Sequence, residues 1–183
     1  MKIKNVLLLA AGEIGVYDHV LEKLSENNAT DDKVVSTLLR CFNLVENEIA
    51  LDYLPLKAED TMDSSSGTIA FSDLSNSPVR ILSVTDEWGN ALKFRLFPDY
   101  LRTQAGKVVV LYTYAPVEKT IDGESDFTTS ISERVVAFGV CAEYYTACGL
   151  YEQAAVFDVK YKDALKAAIS SRKSRVIASR RWA

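Results

Sequence analysis

The sequence predicts an α+β protein: helices from both ends of the chain pack together, and a small antiparallel β-sheet is inserted between them. Three observations carry this. Apolar residues recur every three or four positions across 31–54 and again across 133–168, the period falls to two between them, and clusters of Ser, Asn, Gly and Pro mark the changes.

Residues 1–25 alternate short apolar stretches with Gly12 and Gly15, as two short helices with a break would. Asn27 to Thr30 form a turn, and Thr30 or Asp31 is placed to cap a helix whose first turn carries Asp31 and Asp32 against the dipole. Val35, Leu38, Phe42, Val45, Ile49 and Tyr53 make its apolar stripe, widened by Val34, Cys41 and Leu44, so a long helix is expected as far as Leu54-Pro55.

Beyond Pro55, residues 63–67 and 75–78 read as Ser-rich loops. Residues 79–84 and 92–96 alternate at period two and are joined by Asp86-Glu87-Trp88-Gly89-Asn90, a hairpin loop with Gly and Asn where positive φ is needed. Trp88 at its tip is either folded back on the sheet or held ready for a partner. Residues 107–114 form a third strand, stopped by Ala115-Pro116, so one small sheet is expected over 56–115.

Residues 117–129 are a polar connection containing Asp122-Gly123-Glu124. Ser130-Ile131-Ser132-Glu133 has the form of a capping box, opening a helix through Val135, Phe138, Cys141, Ala142 and Tyr145 that closes at Cys148-Gly149. A last helix carries Ala154, Phe157, Tyr161, Leu165 and Ala168 on one face, with Lys160, Lys162 and Lys166 elsewhere. The chain thus divides into helices over 1–55, a β subdomain over 56–116, helices over 117–171 and a basic arm over 172–183.

With 183 residues, 48% hydrophobic and 25% charged, the chain buries roughly 70% of its unfolded surface and needs no metal or disulfide to fold. The apolar run Val6–Ala11 is too short to span a membrane or to read as a signal peptide. Cys41, Cys141 and Cys148 form no CxxC pair, and reduced, buried thiols in a cytosolic product are expected. Residues 160–183 carry net +7 and the remainder net −11, an acidic body with a basic tail.

Catalytic patterns do not emerge. The single histidine, His19, reads as an exposed helix pair with Asp18, and no GxSxG turn or metal-ligand spacing is present. Gly12-Glu13-Ile14-Gly15 lacks the preceding strand and following Lys of a phosphate loop. Acid pairs such as Glu46 with Glu48 and Glu59 with Asp60 read as solvated faces. Tyr144, Tyr145, Tyr151, Phe157 and Tyr161 suit a core or a subunit seam. The body offers no basic-aromatic face, so nucleic acid would be held by the tail alone. A basic segment ending in Arg-Arg-Trp suits protein docking better. No enzyme activity, metal or cofactor is expected.

The runs Asp32 with Leu38–Asn43 and Glu48–Leu56, Ile81–Asp86, and Val110–Pro116 resemble tailed-bacteriophage head-tail connector (adaptor) proteins. So do Ala142–Tyr145, Gly149–Ala154, Lys160-Tyr161 with Ala164-Leu165, and the closing Arg180-Arg181-Trp182. The sheet over 56–116 makes this chain larger than the minimal helical connectors.

The resemblance implies a structural virion protein. It would form a ring of about twelve copies, a dodecamer, below the portal protein at the capsid vertex. There it would extend the DNA channel and link the capsid to tail or stopper proteins, in genome packaging and ejection. It would be made in the host cytoplasm and have no membrane partner, and DNA would pass the lumen without sequence-specific binding. The portal-docking arm would then be Arg172, Lys173, Arg175, Val176, Ile177, Arg180, Arg181 and Trp182, with Trp88 as a second contact. The other readings are a tail-completion or other neck protein contacting the tail, and a nucleic-acid-binding accessory protein.

Overall fold

The computed structural model describes residues 1–26 and 29–172, the side chains of Ser171 and Arg172 excepted. Among these it is mixed helix and sheet, α+β, with five α-helices and two three-stranded antiparallel sheets. It divides into two compact units, Met1–Glu46 with the segment beginning at Glu118, and Asn47–Val117.

The first unit is helical. α1 (Ile3–Ile14) and α2 (Tyr17–Leu24) are the two short helices expected; the break falls at Gly15, and Gly12 lies within α1. α3 (Lys33–Glu48) is capped by Asp32, one residue beyond Asp31 and two beyond Thr30, the expected caps. Asp32 accepts from the amides of Val34 (2.9 Å) and Val35 (3.0 Å), whereas Thr30 and Asp31 lie in a preceding 3-10 turn. α3 buries Val35, Leu38, Cys41, Phe42 and Val45, the stripe read from the sequence. It does not reach Pro55 as α-helix: a π turn over Ile49–Tyr53 ends the run, with the Leu54 amide donating to the Ile49 carbonyl at 2.7 Å.

α4 (Glu133–Ala147) and α5 (Tyr151–Arg172) form an antiparallel hairpin. The capping box does not form. Ser132 is the N-cap residue with extended backbone (φ −77°, ψ 152°), Glu133 is the first helical residue, and Ser130 belongs to the preceding turn, donating its amide to the Phe127 carbonyl. The C-terminal signal holds: Gly149, at φ 75°, lets its own amide reach the Thr146 carbonyl and that of Leu150 reach the Tyr145 carbonyl. Across the hairpin Tyr145 stacks on Phe157 at 5.6 Å, and Phe157, Tyr161 and Leu165 are buried. These aromatics therefore fill the core, while Tyr151 is exposed. α5 continues through Arg172, the first residue of the expected basic arm.

Gly139, in the middle of α4, sets how closely the helices approach. A Cβ there would lie 2.9 Å from Val45 Cγ1 and 3.1 Å from the Tyr161 ring, so only hydrogen fits between α3 and α5.

The connection over 117–132 is organised rather than loose. Asn43 clamps Lys119 in both directions, its Nδ2 donating to the carbonyl (3.2 Å) and its Oδ1 accepting from the amide (2.8 Å). Three residues on, Glu46 Oε1 accepts from the Asp126 amide at 3.0 Å. Ile121, Phe127 and Ile131 of this segment are buried. Glu46 is thus not on a solvated face; it is 2% exposed.

The second unit holds β1 (Leu56–Ser64), β2 (Thr68–Ala70), β3 (Pro78–Asp86), β4 (Arg95–Leu96), β5 (Tyr100–Arg102) and β6 (Gly106–Tyr114). The single expected sheet is two, ordered β1-β6-β3 and β2-β5-β4. Residues 56–64, partly read as loop, form a nine-residue strand paired along its whole length with β6. The expected ladder between 79–84 and 92–96 is reduced to one bridge, Thr85 with Ala91, because Arg95 and Leu96 pair instead with Arg102 and Leu101. Leu101 is fully buried, so this register joins the second sheet to the common core of Ile69, Leu74, Ile81, Val84, Val108, Val110 and Tyr112. Burial outweighed the local alternation.

Candidate functional site

The loop at the end of β3 is built around one carboxylate. Asp86 Oδ1 accepts from the amides of Trp88 (3.0 Å) and Asn90 (2.7 Å), and Oδ2 accepts from Asn90 Nδ2 (2.8 Å). The Asn90 side chain first, then these amides, pull the Asp86 carboxyl below its usual range. Gly89, at φ 85°, completes the turn, with the Asp86 amide returning to the Asn90 carbonyl at 3.0 Å.

This frame leaves Trp88 78% exposed, so the indole is not folded back on the sheet. Beside it is a cavity of about 240 Å³ whose lining includes Trp88, Leu92, Gln104, Lys107 and Val108. A large, rigid, partly apolar ring on a pre-formed turn loses little entropy when it is covered.

β3 offers a second apolar surface. Its register with β6 shifts between Pro78 and Arg80 and again between Ile81 and Ser83, and the residues at these bulges, Val79 and Leu82, are exposed. Bulges re-aim side chains, and here they turn two apolar ones outward. With Leu51, Pro55 and Tyr114 they line a groove of about 210 Å³. Period-two reading missed this, because a bulge moves a residue to the other face without altering composition.

Of the expected docking arm, Arg172 ends α5, and Lys173, Arg175, Val176, Ile177, Arg180, Arg181 and Trp182 lie outside the described residues. The arm and Trp88 are therefore not brought together by anything described.

His19 pairs with Asp32 rather than Asp18, Nε2 to Oδ2 at 3.0 Å. The Val35 amide, with His19 assisting, holds the Asp32 carboxyl below its usual range. Asp32 is thus engaged as a helix cap. Among the described residues, no three His, Cys, Asp or Glu are grouped to hold a metal ion, and no helix is long and apolar enough to cross a membrane. Burial pushes the thiols of Cys41 and Cys141 up to about 11 and about 12, while Cys148, expected to be buried, is exposed at the end of α4.

Glu46 is the buried acid that sequence reasoning missed. Burial raises its carboxyl above the ordinary value, and the Ser125 hydroxyl and Asp126 amide offset this in part. The signal was its place beside Val45 and Phe42 on the buried stripe of α3.

No family model matches the chain, and no curated protein does.

Proposed function

We propose that the chain is a structural virion protein, a head-tail connector or adaptor that assembles as a ring below the portal and links the capsid to the tail. The observation that carries this reading is Trp88, held 78% exposed by a turn in which its own amide and the amide and side chain of Asn90 bond the Asp86 carboxylate. A free indole on a rigid frame suits docking against another protein, because aromatic anchors supply most of an interface's energy. Val79 and Leu82 at the β3 bulges and Tyr151, Val156 and Val159 on α5 add exposed apolar surface in the two units. That surface suits an assembling protein better than one that works alone. The resemblance of the runs around Leu38–Asn43 and Val110–Pro116 to connector proteins names the assembly.

In this reading the free chain is monomeric or weakly associated, and the portal acts as the template on which a ring closes. The test is to mix the purified protein with the portal protein of the same genome and examine the product by electron microscopy. A ring of about twelve copies seated on the portal is expected. Removing residues 174–183 should abolish attachment while the body still folds, as circular dichroism reports. A chain that stays unattached to the portal at every concentration would overturn the assignment.

A further inference from the structure

The ribbon formed by β4 and β5 sets like charges where a sheet ordinarily avoids them. Arg95 stands directly opposite Arg102 in the antiparallel register. Residues so paired have Cβ atoms about 5 Å apart, and like charges there repel. Leu101 is buried in the core, so by strand alternation its neighbour Arg102 points away from it. Lys93 joins the two arginines, and all three are exposed. Among the described residues, no carboxylate forms an ion pair with any of them.

The three cations surround an open cavity of about 640 Å³, completed by Leu92, Phe94 and Thr103. Its shape is fixed locally. Thr103 Oγ1 donates to the Lys93 carbonyl at 3.1 Å, and the Phe97 amide donates to the Tyr100 carbonyl at 2.9 Å, closing the ribbon's tip. There the rings of Phe97 and Tyr100 stack at 4.5 Å, with Phe97 exposed. A basic-aromatic surface is therefore present in the body of the chain, where the sequence reading found none.

We propose that this ribbon is a nucleic-acid contact that takes the phosphodiester backbone between Arg95, Arg102 and Lys93. Guanidinium forks match phosphate oxygens in pairs, and an anion between Arg95 and Arg102 turns their repulsion into attraction. An acidic protein surface would satisfy the charges, but the exposed Phe97, stacked on Tyr100 at the tip, favours nucleic acid, whose bases stack on such rings. Contacts of this kind position the strand without reading its sequence. The inference goes beyond the assembly reading and stands without it.

The test uses the full chain and fluorescence anisotropy with a labelled single strand of about 30 nucleotides, titrated at several salt concentrations. R95Q/R102Q should weaken binding at least tenfold at low salt and reduce the slope of log affinity against log salt by about 1.4, the loss of two phosphate contacts. R95K/R102K should keep the slope, and R180Q/R181Q measures the tail's separate share. Because like charges are removed, the melting temperature of R95Q/R102Q should be unchanged or raised, so weaker binding cannot be laid to unfolding. Wild-type affinity and slope in R95Q/R102Q would overturn the proposal. So would a ribbon that holds polyglutamate but not the oligonucleotide, which would assign it to an acidic protein partner.

Discussion

The hydroxyl of Tyr112, a residue wholly buried on β6, donates to Asp60 Oδ2 on β1 at 2.7 Å and accepts from the Asn76 amide at 3.1 Å. Asp60 also takes the Ser75 amide (2.7 Å) and hydroxyl (2.8 Å). One tyrosine and one carboxylate thereby hold the loop that feeds β3 against the sheet. Tyr112→Phe leaves the Asn76 amide and a carboxylate oxygen without this partner, and should cost about 1–3 kcal/mol in urea unfolding.

The same pair predicts acid sensitivity. Partial burial works to raise the Asp60 carboxyl, but the Ser75 and Tyr112 bonds win and hold it below the usual 3.8. A carboxyl depressed in the folded state contributes stability above its unfolded pKa and loses it as pH falls through the folded value. Asp60→Asn should therefore flatten the acid limb of a stability–pH curve below about pH 4.

Glu46 has the opposite sign. Burial raises its carboxyl above 4.5, so the folded state binds the proton more tightly than the unfolded state. Stability is then greatest below the unfolded value and declines as pH rises through the folded one. Glu46→Gln, which keeps an acceptor for the Asp126 amide, should raise the urea midpoint at neutral pH and match wild type near pH 4.

Gly139→Ala gains about 1 kcal/mol of helix propensity but drives a methyl group against Val45 and Tyr161. The clash should win, giving a net loss of about 1–3 kcal/mol in urea unfolding.

Trp88→Ala should leave the melting temperature within about 2 °C of wild type, since the indole buries little. Attachment to a partner should fall sharply. A large drop in stability would assign the ring to the core instead.

Cys148 should react with Ellman's reagent in the native protein, while Cys41 and Cys141, buried with thiols raised to about 11 and about 12, should wait for denaturant.

The sequence by itself determined the helices and the reversal between α4 and α5. The stripe from Val35 to Val45 and that from Ala154 to Leu165 are local periodicities, and Gly149 ends α4 through its own backbone freedom, so three to twenty consecutive residues contain all the information needed. Residues 79–84 and 107–114, within β3 and β6, were legible as strands for the same reason. The tertiary structure alone decided their partners. Arg95 and Leu96 left the nearby hairpin for β5 because that register joins Leu101 to a shared core, a gain that depends on residues distant in sequence. Glu46 became a buried acid and Asn43 a clamp because a loop some 80 positions on returned its amides to α3. The bulges at Val79 and Leu82, the exposure of Trp88 and the opposition of Arg95 to Arg102 likewise arise from pairing across strands. Periodicity reports which residues prefer burial; only the packed chain fixes which polar groups meet and which side chains are left to face a partner.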